Sequence, residues 1–418
     1  MQAVLWVLVG VVLASAYFLL KTRRLNPRLD IAMDDLPPVS EGMSTLAGLT
    51  GGAVYSGNDV RILQNSAIFD AMEQDILAAR CTVHLETFVW TEGAVERRFI
   101  DLLSRKAREG VSVRLLIDAL GGNERDDGHL EQMKKSGVEL QVYSQVRPWN
   151  LRRFNHRTHR KILVCDGAVA YTFGHGFSDL WLGNAEDPKH VRDTGVRIEG
   201  PAVTGLQSVF MENWIEESHC VPTGDGCFPR LEHKGDVEMH VVRSASGDAV
   251  SSVALLYTIA IASARREVLI QNPYFAPPDG FCDLLKRVVD RGVDIHLMVP
   301  GGNTDNALVR RAGCALYDRL LEAGVKLYEY QPTLLHQKVV VVDGLWSHVG
   351  STNFDARSLA LNEEIGVGFC DSELASQLRT AFLQDLKQCR EITRDVWRRR
   401  SLVARLGDRV CYQLHDQL

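Results

Sequence analysis

The chain contains one structural unit written twice, and this duplication constrains the fold more than any single motif does. The stretch FIDLLSRKAREGVSVRLLIDALGG from Phe99 answers FCDLLKRVVDRGVDIHLMVPGG from Phe281. Each reads as an apolar-periodic helix stopped by glycine and followed by a β-rich strand. Upstream, AARCTVHLETFVW answers SARREVLIQNPYF; downstream, DTGVRIEG from Asp193 answers EIGVGFCD from Glu364. A helical stretch follows each of the last pair, around Gln207 to Glu217 and Ala375 to Cys389. Strands alternating with helices predict an α/β fold, a sheet with helices on its faces. Used twice, the unit predicts two pseudo-symmetric βα lobes packed against each other.

The repeat sets the boundaries. Lobe one spans residues 57–221 and lobe two residues 237–392, each of roughly 160 residues and large enough for its own core. The Pro/Gly-rich PTGDGCFPRLEHKGD, residues 222–236, is the connection. Residues 393–418 read as a basic C-terminal tail. Residues 1–20, MQAVLWVLVGVVLASAYFLL, hold no charge and are long enough to cross a hydrocarbon core of about 30 Å. The ASA at 14–16 resembles a cleavage site, yet no positive residue precedes the run and more apolar residues follow. An uncleaved transmembrane anchor is the expectation. Residues 21–56 then form a juxtamembrane linker, and its Lys21, Arg23, Arg24 and Arg28 predict a single pass with the lobes on the cytoplasmic side. The nine cysteines contain no C-x-x-C pair, and Cys165, Cys282 and Cys370 fall in apolar patterns that read as reduced core thiols.

Within the duplication, H-x-K-x-x-x-x-D occurs as His159, Lys161, Asp166 and again as His336, Lys338, Asp343. With 13 histidines in the chain, chance supplies this pattern only about a few hundredths of a time. Residues two apart on a strand share a face, so each histidine points with its lysine. Each aspartate counts by motif among the catalytic residues, but seven beyond its histidine it has the opposite parity and sits at an Asp-Gly turn, where it is expected to fix the strand end. Two imidazoles and two ammonium groups brought together at a pseudo-two-fold interface suit a phosphate. One neutral imidazole attacks phosphorus, the other, protonated, donates to the leaving oxygen, and the lysines offset phosphoryl charge. The sequence offers neither a clustered His/Asp/Glu metal set nor a G-x-x-x-x-G-K-[ST] loop, and no metal or other cofactor is expected. A nucleophilic imidazole needs its far nitrogen held by a carboxylate, and the repeat nominates Asp193 and Glu364. GSTN, residues 350–353, offers Ser351 and Asn353 to a phosphate; its lobe-one counterpart is FGHGFS, residues 173–178.

The net charge of −6 tells against a nucleic-acid partner, which calls for a basic field. Local basic clusters with aromatics, RPWNLRRFNHRTHRK at 147–161 and RDVWRRRSLVAR at 394–405, suit anionic lipid headgroups instead.

With these motifs the chain resembles the phospholipase D superfamily of duplicated H-x-K-x4-D enzymes and, within it, the bacterial cardiolipin synthases. YEYQPTLLHQKVVVVDGLWSHVGSTNFDARSLALNEE and QNPYFAPPDG carry the likeness most closely. The resemblance implies a ping-pong phosphatidyl transfer through a phosphohistidine: one phosphatidylglycerol donates to a histidine with release of glycerol, and a second attacks to give cardiolipin. It further implies a place in the bacterial inner membrane, His159 as nucleophile, His336 as acid/base, and Lys161, Lys338, Asn353 and Ser351 as phosphate ligands. Phosphatidylethanolamine as the second substrate, and hydrolysis or transfer to another alcohol, stay open as alternatives. The chain departs from relatives that carry G-G-x-N after the first motif: Phe173, Gly174, His175 and Gly176 stand there. Either Lys161 and backbone N–H groups suffice, or His175 supplies the donor.

Overall fold

The computed structural model describes residues 29–418 apart from 123–124, 146–155, 225, 246–249, 279 and 414–418, together with 2, 6–7 and 9–11. Lobe one supplies β1 (Val54–Gln64), β2 (Thr82–Thr87), β3 (Ser112–Asp118), β4 (Glu139–Tyr143), β5 (Ile162–Cys165), β6 (Val169–Phe173) and β7 (Thr194–Glu199). Lobe two supplies β8 (Val237–Ser244), β9 (Glu267–Gln271), β10 (Phe275–Ala276), β11 (Asp294–Pro300), β12 (Lys326–Tyr330), β13 (Val339–Val342), β14 (Trp346–Gly350), β15 (Phe354–Asp355), β16 (Glu364–Cys370) and β17 (Cys389–Ile392).

The strand order shows the duplication directly. Lobe one runs β4-β3-β2-β5-β6-β7-β1, and lobe two runs β12-β11-β9-β13-β14-β16-β8 with β17 added at its outer edge. The two sheets join through antiparallel β1 and β8, where the register shifts between Tyr55 and Asn58.

β5 and β13 span the four residues between the motif Lys and Asp, and ILVC and VVVV form strands there because they are β-rich and buried at every position. Each strand leaves through the Asp-Gly pair, in which Asp166, Gly167, Asp343 and Gly344 all have positive φ. Asp tolerates that region and Gly favours it, giving tight hairpins into β6 and β14.

Helices Val203–Ser218 and Ser372–Leu386 follow β7 and β16, as the repeat requires. Each packs on its own sheet and also touches the other lobe, the first at β8 and the second at β1. Leu206, Phe210 and Trp214 thereby share one core with Leu374, Leu378 and Phe382. This shared core makes the interface rigid enough to hold a site.

Two stretches do more than the sequence reading assigned them. In the segment read as linker, Met33, Val39, Met43 and Leu46 enter the core of lobe two, the last two from helix Met43–Leu49. In the segment read as a tail, Arg394–Arg398 and Leu402–Gln413 are helical, and the Trp397 ring packs 4.5 Å from Tyr317. Among the described residues no helix is long and apolar enough to cross a membrane. Most of the anchor read over residues 1–20, the basic flank through Arg28, and Trp149 and Phe154 lie outside the described residues.

Candidate active site

Both motifs begin with a backbone exchange across the lobe boundary. His159 N–H donates to the Glu363 carbonyl at 2.8 Å and Glu363 N–H donates to Arg157 at 2.9 Å. In the mirror arrangement His336 N–H donates to the Arg192 carbonyl at 2.8 Å and Arg192 N–H donates to Leu334 at 3.0 Å. Each histidine thus sits beside the segment that bears the other lobe's carboxylate.

The carboxylates consequently pair crosswise. His159 Nδ1 lies 3.0 and 3.1 Å from the two Glu364 oxygens. His336 Nδ1 lies 2.8 Å from Asp193 Oδ2. With Nδ1–H committed to a carboxylate, Nε2 of each ring is left to the site, as a lone pair when the ring is neutral and as a second N–H donor when it is protonated. All four side chains are buried. Lys161 Nζ donates to the His159 carbonyl at 2.8 Å and Lys338 Nζ to the His336 carbonyl at 2.7 Å. Lys338 Nζ also lies 3.1 Å from both ring nitrogens of His336, and Lys161 Nζ sits 5.6 Å from the Phe88 ring centroid.

Burial and like charge govern the protonation states. Burial, then Lys161, Lys338 and His336, hold the His159 imidazolium well below the ordinary histidine range. Burial and Lys338 lower His336 against the pull of Asp193. The Lys161 ammonium is pushed down by burial to about 7 and that of Lys338 to about 8. An arriving phosphate would restore both charges. The two carboxyls diverge. Burial raises Glu364 to about 7 despite Lys161 and Ser351. For Asp193, burial is outweighed by His175, His336 and Lys338, and the carboxyl stays well below its usual range.

The remaining candidates fall into distinct places. The Asp166 carboxylate accepts N–H bonds from Arg80, Cys81 and Thr82 at 2.8, 2.7 and 2.8 Å. Asp343 accepts from Arg265, Arg266 and Glu267 at 2.8, 2.7 and 3.0 Å. Both aspartates clamp strand ends, and their carboxylates are spent on these backbone donors. Grouped by motif with the catalytic residues, they are structural in position. Ser351, read as a phosphate ligand, has its hydroxyl within donating reach of Glu364 Oε2 and of the Ile365 carbonyl. Asn353 is buried and its Oδ1 has no partner among the described residues. His175 Nε2 lies 2.9 Å from the Asn65 carbonyl, so its N–H points away from a phosphate and into the backbone.

A family model described as "Cardiolipin synthase, PLD-like domain" matches residues 72–206 and 257–386, one match in each lobe. The chain belongs to the cardiolipin synthase family of phospholipase D-like enzymes. Cardiolipin synthase A of Pseudomonas putida is 33% identical over 95% of this chain and 85% of its own length. The major cardiolipin synthase of Bacillus subtilis is 32% identical over 82% and 71% respectively. In fold, the chain is similar to the phosphatidylserine synthase of Haemophilus influenzae, with a TM-score of 0.64 over 86% of this chain and 95% of that one at 13% identity. A polyphosphate kinase from Porphyromonas gingivalis gives a TM-score of 0.54 over 94% and 56% at 12% identity.

Against this phospholipase D-like frame, the departure in lobe one has a structural solution. Gly174 stands where lobe two has Ser351, and a Cβ there would overlap the Asp193 carboxylate. No serine fits. Trp181 takes over, its Nε1–H donating to Asp193 Oδ2 at 2.9 Å and its ring lying edge-on to His336 at 5.3 Å between centroids. Gly176 stands where lobe two has Asn353, and a Cβ there would come within 2.6 Å of Val89 and 3.0 Å of the same tryptophan. The sequence reading missed Trp181; its signal was the pairing of missing side chains at 174 and 176 with a tryptophan shortly after.

A buried polar layer behind the motifs was also missed. Thr158 donates its hydroxyl to Glu86, which also accepts from Asn213 at 2.7 Å and is raised by burial to about 7. Arg160, between the motif His and Lys, bonds Glu363 and Glu212, each at 2.8 Å. At the matching place in lobe two, Gln337 donates to Thr194 at 2.7 Å and accepts from Gln271 at 2.9 Å. Arg192, beside Asp193, pairs with Asp385 at 3.1 Å. The alternation of the extended segments that lead into β5 and β13 points His and Lys into the site and sends Arg160 and Gln337 to its back, and identical residue types are not needed there.

Proposed function

We propose that this enzyme makes cardiolipin from two molecules of phosphatidylglycerol through a phosphohistidine on His159. The observation that carries the reading is the crossed pair: two buried imidazoles, each oriented by a carboxylate of the other lobe, with a lysine beside each. Nε2 of His159 attacks the phosphodiester phosphorus while His336, as imidazolium, gives its Nε2 proton to the departing glycerol oxygen. His336, now neutral, takes the proton of the glycerol hydroxyl of a second phosphatidylglycerol, whose oxygen displaces His159 from phosphorus. Both imidazoles return to their starting states. The ionised Asp193 favours the imidazolium role for His336, and Glu364, raised by its burial, suits a neutral His159. Lys161, Lys338 and Asn353 receive the phosphoryl oxygens. Burial of the site disfavours water as acceptor relative to a lipid alcohol. We place the protein on the bacterial inner membrane, with residues 1–20 as a single anchor and both lobes cytoplasmic.

Purified protein incubated with headgroup-labelled phosphatidylglycerol tests this. One glycerol should appear per cardiolipin without phosphatidylethanolamine. Phosphatidic acid as the main product would make it a hydrolase. Dependence on phosphatidylethanolamine would change the second substrate.

A further inference from the structure

The helix Leu402–Gln413 is amphipathic in the wrong sense for a globular surface. An ordinary surface helix turns its apolar stripe to the core. Here the inward face carries Gly407, Asp408 and Cys411, set against helix Ala307–Cys314. Asp408 is buried between Arg311, at 3.2 Å, and Arg400, at 2.6 Å. At Gly407 the Arg311 guanidinium occupies the place a Cβ would take. The outward face carries Leu402, Val403, Leu406 and Val410, exposed by 79, 81, 63 and 57%. Their spacing of about one turn makes a continuous apolar stripe. Polar anchoring of the inner face fixes the helix with its apolar side out, so the exposure is a product of the fold.

Charge identifies what covers the stripe. Residues 394–410 hold six arginines against two aspartates in a chain of net charge −6, and of the six Arg394, Arg398, Arg400 and Arg405 pair with Glu322, Asp408 or Asp318. Arg399 and Arg409 are exposed beside the stripe, and Arg400 stacks on Trp397 at 3.8 Å. A self-complementary contact with a second copy would bring these arginines toward one another across the dyad, which like charge disfavours. An anionic bilayer meets both features at once, taking the apolar side chains among its acyl chains and the guanidinium groups among its headgroups. The supporting helix Ala307–Cys314 begins two residues after Asp305. That carboxylate accepts the Tyr274 hydroxyl and acts electrostatically on His336 and Lys338. The helix that supports the stripe thus follows in the chain directly after a residue whose charge is felt at the active site.

We propose that Leu402–Gln413 lies in the headgroup region of an anionic membrane and holds the enzyme on the surface that contains its substrate. This goes beyond the catalytic reading, and its first test does not depend on turnover. The full chain carrying a photo-reactive benzoylphenylalanine at Leu406 is reconstituted in phosphatidylglycerol/phosphatidylethanolamine vesicles and irradiated. The expected result is a lipid adduct at least fivefold above that of the same probe at exposed Gln377, and several-fold above that in pure phosphatidylcholine vesicles. A cross-linked dimer, an adduct to residues 1–28, or equal labelling in both lipids would overturn the proposal. The second test uses Leu402→Glu with Leu406→Glu, two exposed positions where folding is not at stake. About tenfold lower activity on vesicles with activity within twofold of normal in detergent micelles is expected; equal activity on vesicles, or equal loss in both, would overturn it. A chain inactive in every format while the lipid adduct forms would instead count against the catalytic reading alone.

Discussion

Trp181→Phe should raise the pKa of His336 and leave that of His159 where it is. In the native site, Asp193 Oδ2 accepts both the indole N–H of Trp181, at 2.9 Å, and Nδ1–H of His336, at 2.8 Å. Phenylalanine keeps an aromatic ring beside His336 and removes the first donor. A hydrogen bond to a charged group contributes about 1.5–3 kcal/mol. When the indole donor is lost, the carboxylate becomes a stronger partner for the remaining one, and the gain goes to the imidazolium. If a third to a half of about 2 kcal/mol is transferred in this way, at 1.36 kcal/mol per unit the pKa rises by about 0.5–0.7. His159 is braced by Glu364, which Trp181 does not touch, so the two rings should separate in the titration. Ser351→Ala makes the mirror perturbation, removing a donor from Glu364, and should raise His159 alone. The assay is a titration of the ring ¹³Cε1–¹H signals, each assigned by a histidine-to-glutamine variant. An unmoved or lowered His336 in Trp181→Phe, or equal movement of both rings, would refute the claim that each carboxylate is tuned by its own donor.

Asp193→Asn and Glu364→Gln should lower kcat by about a hundred- to ten-thousand-fold, the range expected for losing the acid that orients a catalytic histidine. KM should change little, because the lysines hold the ground-state phosphate; steady-state kinetics on dispersed lipid separates the two parameters. Asp166→Asn and Asp343→Asn should lower stability by about 2–4 kcal/mol, since an amide cannot accept all three backbone N–H bonds of the clamp. A Tm lowered by about 5–10 °C, with kcat near normal well below the transition, is expected from calorimetry and assay at low temperature. Phosphate binding should weaken with alkali. Below pH 7 both site lysines are charged; as pH rises through about 7 and then 8, binding must first return a proton to each, so KM for phosphatidylglycerol should climb by up to about tenfold per unit for each lysine. A KM flat from pH 6 to 9 would show that the ammonium groups are not the phosphate ligands.

Much of the architecture was written in the repeat. Matching helix–strand blocks at Phe99 and Phe281 became matching places in two sheets, and the parity between His159 and Asp166 correctly separated a site-facing residue from a strand-end one. The crossed pairing of His159 with Glu364 and His336 with Asp193 was not legible, because a repeat encodes each lobe and says nothing of how one lobe is rotated against the other. The contact between Ser351 and Glu364 was not legible for a related reason: a hydroxyl near a phosphate motif has more than one possible acceptor, and only the position of β16 shows that Glu364 is among them. Trp181 stands outside every motif, and its role appears only when the side chains missing at Gly174 and Gly176 are seen in space. The burial of Met43 and Leu46 depends on a groove of lobe two far along the chain, so their local sequence, short and weakly patterned, reads as linker.

The central claim is a double displacement at phosphorus through His159, and the configuration of that phosphorus tests it most directly. A phosphatidylglycerol made chiral at phosphorus with sulfur in place of one non-bridging oxygen would be converted to cardiolipin and the product configuration read by ³¹P NMR. Two in-line displacements, onto His159 and off it, predict retention. Inversion would mean that the acceptor hydroxyl attacks the lipid directly, and the paired histidines would then serve only as acid and base.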